Sequence, residues 1–202
     1  MAVARDEKSG GTAAALLRAA RACLLADGFA RLSTRKVAQE AGVPLSQVHY
    51  HFGSRSGLVL AVLAEENERR LRRQTAMYSE DAPLWRRYEQ ACDFLEDDLE
   101  SGYVRILQEM IAAGWSTPEV GVAVREMLRG WFELLTDVAA EAERRFGSLG
   151  PFTAAEMASL IGNAFLGSEA LLLLGFDRGE LPVRSALRRF GQVIRALEEA
   201  AA

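Results

Sequence analysis

The chain has 202 residues, half of them hydrophobic, which is enough for one large or two small domains with a sizeable core. Its formal net charge is −4, so the chain as a whole is not a basic nucleic-acid binder. No apolar run is long enough to cross a membrane, and the polar residues 1–11 do not resemble a signal peptide, so we expect a cytoplasmic protein without membrane contact.

The charge is divided unevenly along the sequence. Residues 1–60 hold eight Lys or Arg against four Asp or Glu, whereas residues 61–202 hold sixteen against twenty-four. A basic N-terminal segment on an acidic remainder is typical of a small nucleic-acid-binding domain attached to a body with another task.

Helical periodicity begins near residue 12. Leu16, Leu17, Ala20 and Leu24 recur on one side of a helix over residues 12–27, and Gly28 is predicted to end that helix. The first helix therefore has one apolar face for a neighbouring element.

Residues 33–58 carry the most informative pattern. Ser33 is predicted to cap a short helix, and Gly42 is predicted to end it because glycine accepts a left-handed backbone. Pro44 then opens a second short helix over residues 45–51, with Val48 pointing inward. Two short helices joined by a tight turn have the spacing of a helix-turn-helix, whose second helix lies in the major groove of DNA.

The same segment resembles the DNA-binding domain of the TetR family of bacterial transcription regulators. His49, Arg55 and Pro44 stand where that family usually has tyrosine, lysine and a serine-like cap. The residues that carry the resemblance are Gly28-Phe29, residues 33–38, Gly42-Val43, residues 48–52, Ser54-Arg55 and Leu58.

The resemblance implies an all-α fold of about nine helices in two domains. Residues 1–58 would form a three-helix DNA-binding domain with its motif at residues 33–52. Residues 59–202 would form a helical bundle for ligand binding and dimerisation.

The remaining helices are predicted over residues 54–75, 83–99, 102–113, 117–147, 153–175 and 182–199, and no segment has a strand pattern. Thr153 and Glu156 have the spacing of a capping box.

The predicted DNA-binding residues lie on the two motif helices and just after them. On the second helix, Ser46, Gln47, Tyr50 and His51 lie away from the face that Val48 is predicted to bury. Glutamine is suited to reading adenine in the major groove. The predicted set is Thr34, Arg35, Lys36, Leu45, Ser46, Gln47, His49, Tyr50, His51 and Arg55.

The C-terminal region has aromatic and Met side chains at helical spacing, for which two interpretations are equally favoured. Such residues form an ordinary core, and in a helical regulator they also line a ligand cavity. The candidate ligand residues are Trp85, Tyr88, Tyr103, Leu107, Met110, Trp115, Met127, Trp131, Phe165 and Glu169, the last as a polar contact.

The last two predicted helices are more apolar around their circumference than one core requires, which indicates a partner surface. Small residues such as Gly167 would allow a close helix approach. The predicted homodimer interface comprises Leu160, Ala164, Gly167, Leu171, Leu187, Phe190 and Ile194.

Catalytic and metal chemistry find little support in the sequence. His49 and His51 diverge on a helix, and Cys23 and Cys92 lack nearby metal-ligand partners, so we expect neither a metal nor a cofactor.

We predict a non-enzymatic regulator, a repressor that binds a palindromic DNA operator as a homodimer and is released by a small-molecule effector. The alternatives are a helical enzyme or adaptor with a helix-turn-helix head, or an activator without an effector.

Overall fold

The computed structural model describes the backbone of residues 2–176 and 180–201, and the side chains from Gly11 onward within these ranges. Every regular element in this part of the chain is an α-helix, so the prediction of an all-α fold with about nine helices is confirmed. The helices are α1 (Ala2–Arg31), α2 (Thr34–Glu40), α3 (Leu45–Phe52), α4 (Arg55–Tyr78), α5 (Leu84–Glu100), α6 (Tyr103–Gly114), α7 (Pro118–Phe146), α8 (Ala154–Leu173) and α9 (Val183–Ala201). No helix in the described residues is long and apolar enough to span a membrane.

Packing divides the chain into two compact units. Unit 1 comprises Met1–Glu68 and Arg105–Val124, and unit 2 comprises Arg69–Val104 and Arg125–Ala202. Consequently α4, α6 and α7 each contribute residues to both units. This division concerns packing alone, and the division of function at residue 58 stays a prediction.

The first helix differs from its predicted bounds. It begins at Ala2, ten residues before the predicted start at residue 12. At Gly28 the backbone leaves helical geometry, with φ of 77° and ψ of 169°, before a final turn to Arg31. Gly28 therefore interrupts the helix as predicted, but it does not end the element.

The core of unit 1 follows the predicted apolar stripes. Leu16 and Ala20 on α1, Val37 on α2, Val48 on α3 and Leu58 on α4 are all fully buried. Burial of these positions joins the first four helices, since each fully buried Val or Leu side chain contributes about 1.5–3 kcal/mol.

Local signals in the motif also form as predicted. The Ser33 hydroxyl accepts a hydrogen bond from the Lys36 N–H at 3.5 Å, and Gly42 adopts a φ of 66° in the turn. The Val43 N–H then donates to the Ala38 carbonyl at 3.0 Å, which closes the turn before Pro44. These short-range bonds fix the turn between α2 and α3.

Unit 2 contains a buried ion pair between α5 and α7. Arg87, which is 2% exposed, donates to both carboxylate oxygens of Glu141 at 3.1 and 2.6 Å and also to the Tyr78 carbonyl. Glu198 on α9 accepts from the Leu84 N–H at 3.1 Å and so caps the start of α5. The predicted Thr153–Glu156 capping box at the start of α8 is confirmed.

The Arg87–Glu141 pair predicts a pH dependence of stability. Hydrogen bonds from Arg87 hold the pKa of Glu141 below its ordinary value of 4.5, so its stabilising contribution is present above that pH and is lost as the pH falls through the folded-state pKa. Between neutral pH and about pH 3, the free energy of unfolding should fall more in the wild type than in Glu141→Gln. Urea titrations at several pH values measure this difference. Glu133→Gln, an exposed position on the same helix, is the control, and parallel wild-type and Glu141→Gln curves would contradict the assignment.

Candidate DNA-binding surface and ligand cavity

The α2–turn–α3 segment presents a polar face to solvent. Val37 and Val48 are buried with 0% exposure, so the opposite sides of both helices point outward. Tyr50 is 75% exposed there, the largest exposed fraction among the apolar or aromatic residues of α3. Arg35, Lys36, Ser46, His49 and Tyr50 are exposed, whereas Thr34, Leu45, Gln47, His51 and Arg55 are half-buried. The ten predicted DNA-binding residues are therefore brought together on α2, α3 and the start of α4.

Lys36 is held by a neighbouring carboxylate. Its Nζ lies 2.6 Å from Asp27 Oδ2, and both side chains are on the surface. The hydrogen bond from Lys36 holds the pKa of Asp27 below its ordinary value, and the same bond raises the pKa of Lys36. A phosphate at this position would compete with Asp27 for the ammonium group.

Arg55 has an internal partner that the sequence did not reveal. Its guanidinium donates to the Phe29 carbonyl and stacks over the Phe29 ring, with Cζ 4.4 Å from the ring centroid. The side chain thereby joins the first turn of α4 to the end of α1. Arginine has five N–H donors, so this contact leaves capacity for a phosphate.

The peptide after Gly28 is also held from α6. The Phe29 N–H donates to the Glu109 carboxylate, and Arg105 donates to the Leu25 carbonyl at 3.0 Å. Arg105 and Glu109 are themselves paired at 3.1 Å. We call Gly28, Phe29, Arg55, Arg105 and Glu109 the α1 clasp. Sequence reasoning missed α6's part in it because nothing local marks a contact across 80 positions.

Unit 2 contains a partly open cavity of about 300 Å³, lined by residues of α4, α5, α7, α8 and α9 and of the loop between α7 and α8. Tyr88 lines it, and the other nine predicted ligand residues do not. Leu107, Met110 and Trp115 belong to unit 1, where Met110 is fully buried and Trp115 is 83% exposed.

The other predicted ligand residues in unit 2 have partners of their own. Arg70 stacks over Tyr103 at 3.6 Å from the ring centroid, and Trp131 lies 5.2 Å from Phe132. The Phe165 ring is 5.9 Å from that of Tyr88. Trp85 lies beneath Arg86 and Arg195, and Met127 and Glu169 are half-buried.

A second, open groove of about 650 Å³ runs along α8 and α9. We call it the α8–α9 groove. Six of the seven predicted dimer residues line it, namely Leu160, Ala164, Gly167, Leu171, Leu187 and Phe190. Ile194 instead lines the unit 2 cavity. The exposed fractions of Leu160 and Phe190, 53% and 37%, show that the groove is an apolar surface.

Comparison with known proteins agrees with this geometry. Residues 16–62 match the family model described as bacterial regulatory proteins, tetR family. No curated protein sequence matches the chain.

Solved structures share the fold over most of the chain. A TetR-family transcriptional regulator from Agrobacterium tumefaciens is 18% identical, with a TM-score of 0.75 over 93% of this chain and 98% of that one. NemR of E. coli in its reduced form is 18% identical, with a TM-score of 0.72 over 88% and 94%. FadR of Bacillus subtilis, in complex with stearoyl-CoA, is 13% identical, with a TM-score of 0.72 over 89% and 96%. At these identities the likeness shows the fold alone.

An N-terminal helix-turn-helix on an all-helical chain defines a DNA-binding transcription regulator. Residues 16–62 therefore form a DNA-binding domain of the tetR-family type, and the chain has the fold of solved TetR-family transcriptional regulators.

Proposed function

We propose that this regulator is a repressor that binds a palindromic operator as a homodimer and is released when a small molecule occupies unit 2. The observation that carries the proposal is the outward face of α3, where Ser46, Gln47 and Tyr50 project from a helix anchored by fully buried Val48. A helix held in this way can enter the major groove with its polar side chains toward the base edges.

The dimer is supported by apolar surface on α8 and α9. Leu160 and Val193 are 53% and 50% exposed, and Leu197 is 50% exposed. An exposed apolar surface of this kind marks an interaction site, and two-fold pairing of identical chains is the commonest way to cover one. Two DNA-binding heads related by a two-fold axis would read half-sites about 34–36 Å apart, or a multiple of that distance, which makes the operator palindromic.

Release of DNA by a ligand requires that the ligand bind the DNA-competent and DNA-incompetent arrangements of the protein with different affinities. A small molecule in unit 2 lowers operator affinity only if it binds better to the DNA-incompetent arrangement, since equal affinity for both shifts nothing. A coupling of about 1–3 kcal/mol would weaken operator binding roughly 5- to 150-fold. The helices α4, α6 and α7 each have residues in both units, so they are the covalent routes for such a signal.

Selection of bound fragments from a random duplex library tests the proposal directly. We expect a palindromic consensus whose half-sites are separated by one helical turn or a multiple. A population of bound duplexes without any consensus would overturn the proposal of sequence-specific binding.

A matched pair of variants distinguishes base reading from phosphate binding. Gln47→Ala should change base preference at one position of each half-site by about 1–3 kcal/mol, the value of a bidentate contact to adenine. Arg35→Ala, on the exposed face of α2, should lower the affinity for all duplexes alike. It should also reduce the slope of log affinity against log salt concentration by about one unit. Arg35 is a cleaner test than Arg55, whose replacement would also remove the contact with Phe29. Salt titrations on the consensus and on single-base variants measure both effects, and identical behaviour of the two variants would contradict the assigned roles.

A further inference from the structure

The cavity in unit 2 is lined almost wholly by carbon. Its walls include Leu135, Val138, Ala139, Phe146, Ile161 and Leu197. No Asp, Glu, Lys or Arg is among the residues that line it. Its volume of about 300 Å³ lies at the lower end of the range for small-molecule sites. An apolar occupant makes dispersion contacts with such walls and displaces no well-bonded water, so it is favoured over a polar one.

The buried guanidinium next to the cavity, that of Arg87, is already paired with a carboxylate. Arg87 precedes Tyr88 on α5, but its buried guanidinium is paired with the Glu141 carboxylate at 2.6 Å. Moving a carboxylate, phosphate or ammonium group into such a site without a counter-ion is strongly unfavourable. The lining therefore selects against ionised ligands.

Two phenols supply the main polar groups of the lining. Burial is the largest cause that raises the pKa of both Tyr78 and Tyr88, so both phenols are protonated at neutral pH. A protonated phenol donates or accepts one hydrogen bond without adding charge. A ligand with a single neutral polar group would find a partner here.

The cavity adjoins the α8–α9 groove. Tyr88, Met157, Ile161 and Phe190 line both spaces, and the rings of Tyr88 and Phe190 are 5.6 Å apart. Ala139 belongs to the cavity alone, whereas Ala186 belongs to the groove alone. Substitutions at these two alanines can therefore fill one space and leave the other open.

We propose that the unit 2 cavity binds an uncharged, mostly apolar small molecule bearing at most one or two neutral polar groups. This inference rests on the proposed function in taking the cavity as the effector site. It names the effector's chemical class and assigns a site that shares only Tyr88 with the ten predicted ligand residues.

A pair of fluorescent probes with the same ring system tests the class of ligand. N-phenyl-1-naphthylamine is neutral, and 8-anilino-1-naphthalenesulfonate adds one sulfonate to the same rings. We expect the neutral probe to bind saturably and at least about tenfold more tightly than the anionic one, because the cavity offers no counter-ion. Equal binding of the two probes, or preference for the anionic one, would overturn the proposed class.

Two alanine variants test the location. Ala139→Leu should lower the affinity for the neutral probe by about tenfold or more, because the added carbons occupy the cavity. Ala186→Leu should leave probe affinity within about twofold of wild type, since its side chain lines only the groove. If Ala139→Leu fails to fold in a thermal melt, Ala142→Leu, which also lines only the cavity, replaces it. Probe binding lost in Ala186→Leu but retained in the cavity variant would move the site to the groove and overturn the proposal.

The probe experiment is carried out without DNA, which separates it from the test of repression. Failure of the neutral probe to bind counts against the cavity as a ligand site and leaves operator binding untouched. A bound neutral probe that does not alter operator affinity confirms the cavity and its ligand class, and counts only against release of DNA through it.

Discussion

Replacing Gly167 by arginine is expected to turn the proposed dimer into monomers and to lower operator affinity by on the order of 10³-fold, the lower end of the interval between specific and non-specific DNA binding. Gly167 lies on the exposed side of α8, in the α8–α9 groove, and no atom lies within 4 Å of the place where its Cβ would be. An arginine therefore fits the monomer without distorting it. In a dimer, the same side chain would bring a charge into an apolar contact.

The loss of DNA affinity follows from the number of DNA-binding domains, which is two in a dimer and one in a monomer. A dimer places two recognition helices on the operator at once, so the second head binds at a high effective concentration. A monomer has one head and few phosphate contacts, and its affinity should approach the non-specific range of about 10⁻⁴–10⁻⁶ M.

Light scattering at micromolar concentration and fluorescence anisotropy on the selected operator measure the two effects. Ala155→Arg places the same charge on an exposed residue of α8 outside the groove, and it should remain dimeric with wild-type affinity. Thermal melting of each variant checks that the fold is intact. A Gly167→Arg protein that stays dimeric would reject this face as the interface, and a monomeric wild type would reject the dimer itself.

Gly28→Ala is expected to destabilise the chain by about 2.5–6 kcal/mol, which combines about 1–3 kcal/mol of backbone strain with about 1.5–3 kcal/mol for the lost hydrogen bond to a charged group. The φ of 77° and ψ of 169° at Gly28 lie in a region that only glycine occupies readily. An added Cβ would lie 3.2 Å from Glu109 Oε1 and 3.3 Å from Arg105 Nη2. The side chains of α6 would have to move away from the Phe29 N–H that they now hold.

Operator affinity should fall together with stability in this variant. The α1 clasp joins the end of α1 to α4 through Arg55 and to α6 through Glu109. Because α2 begins only a few residues later, at Thr34, a shift of this peptide changes the position of the helix that precedes the recognition helix.

Urea unfolding and operator binding measure the two consequences, and Gly11→Ala is the matched control. Gly11 lies in α1 with no atom within 4 Å of a would-be Cβ and without a left-handed backbone, so alanine should stabilise the helix there by about 0.5–1 kcal/mol. Glu109→Gln keeps the acceptor for the Phe29 N–H and should be milder than Glu109→Ala. A Gly28→Ala protein as stable as wild type would show that the clasp does not constrain this peptide.

The motif was predictable from the sequence because its signals are local. The Ser33 cap bonds to Lys36, three positions on, and the turn at Gly42 is closed by the bond from Val43 to Ala38, five positions back. The same holds for the Thr153–Glu156 capping box. Short-range hydrogen bonds and helical periodicity follow from residue type and spacing, so the structure reproduces them.

The ligand candidates show where such reasoning stops. A Trp or Met at helical spacing belongs to an apolar face, but the spacing does not say what covers that face. Met110 is covered completely, Trp115 is 83% exposed, and Tyr88 alone of the ten reaches the cavity. The aliphatic residues that form the rest of the cavity, such as Leu135 and Ala139, have the same pattern as ordinary core.

The all-α class, the order of the helices and the helix-turn-helix of the N-terminal domain were all predictable from residue types and their spacing, because they depend on periodicity, caps and one contiguous motif. The contact of Glu109 with Phe29, the burial of Arg87 against Glu141 and the place of the cavity arise from tertiary packing. These features join residues tens of positions apart, and which faces of the helices meet is set by how all of them pack together.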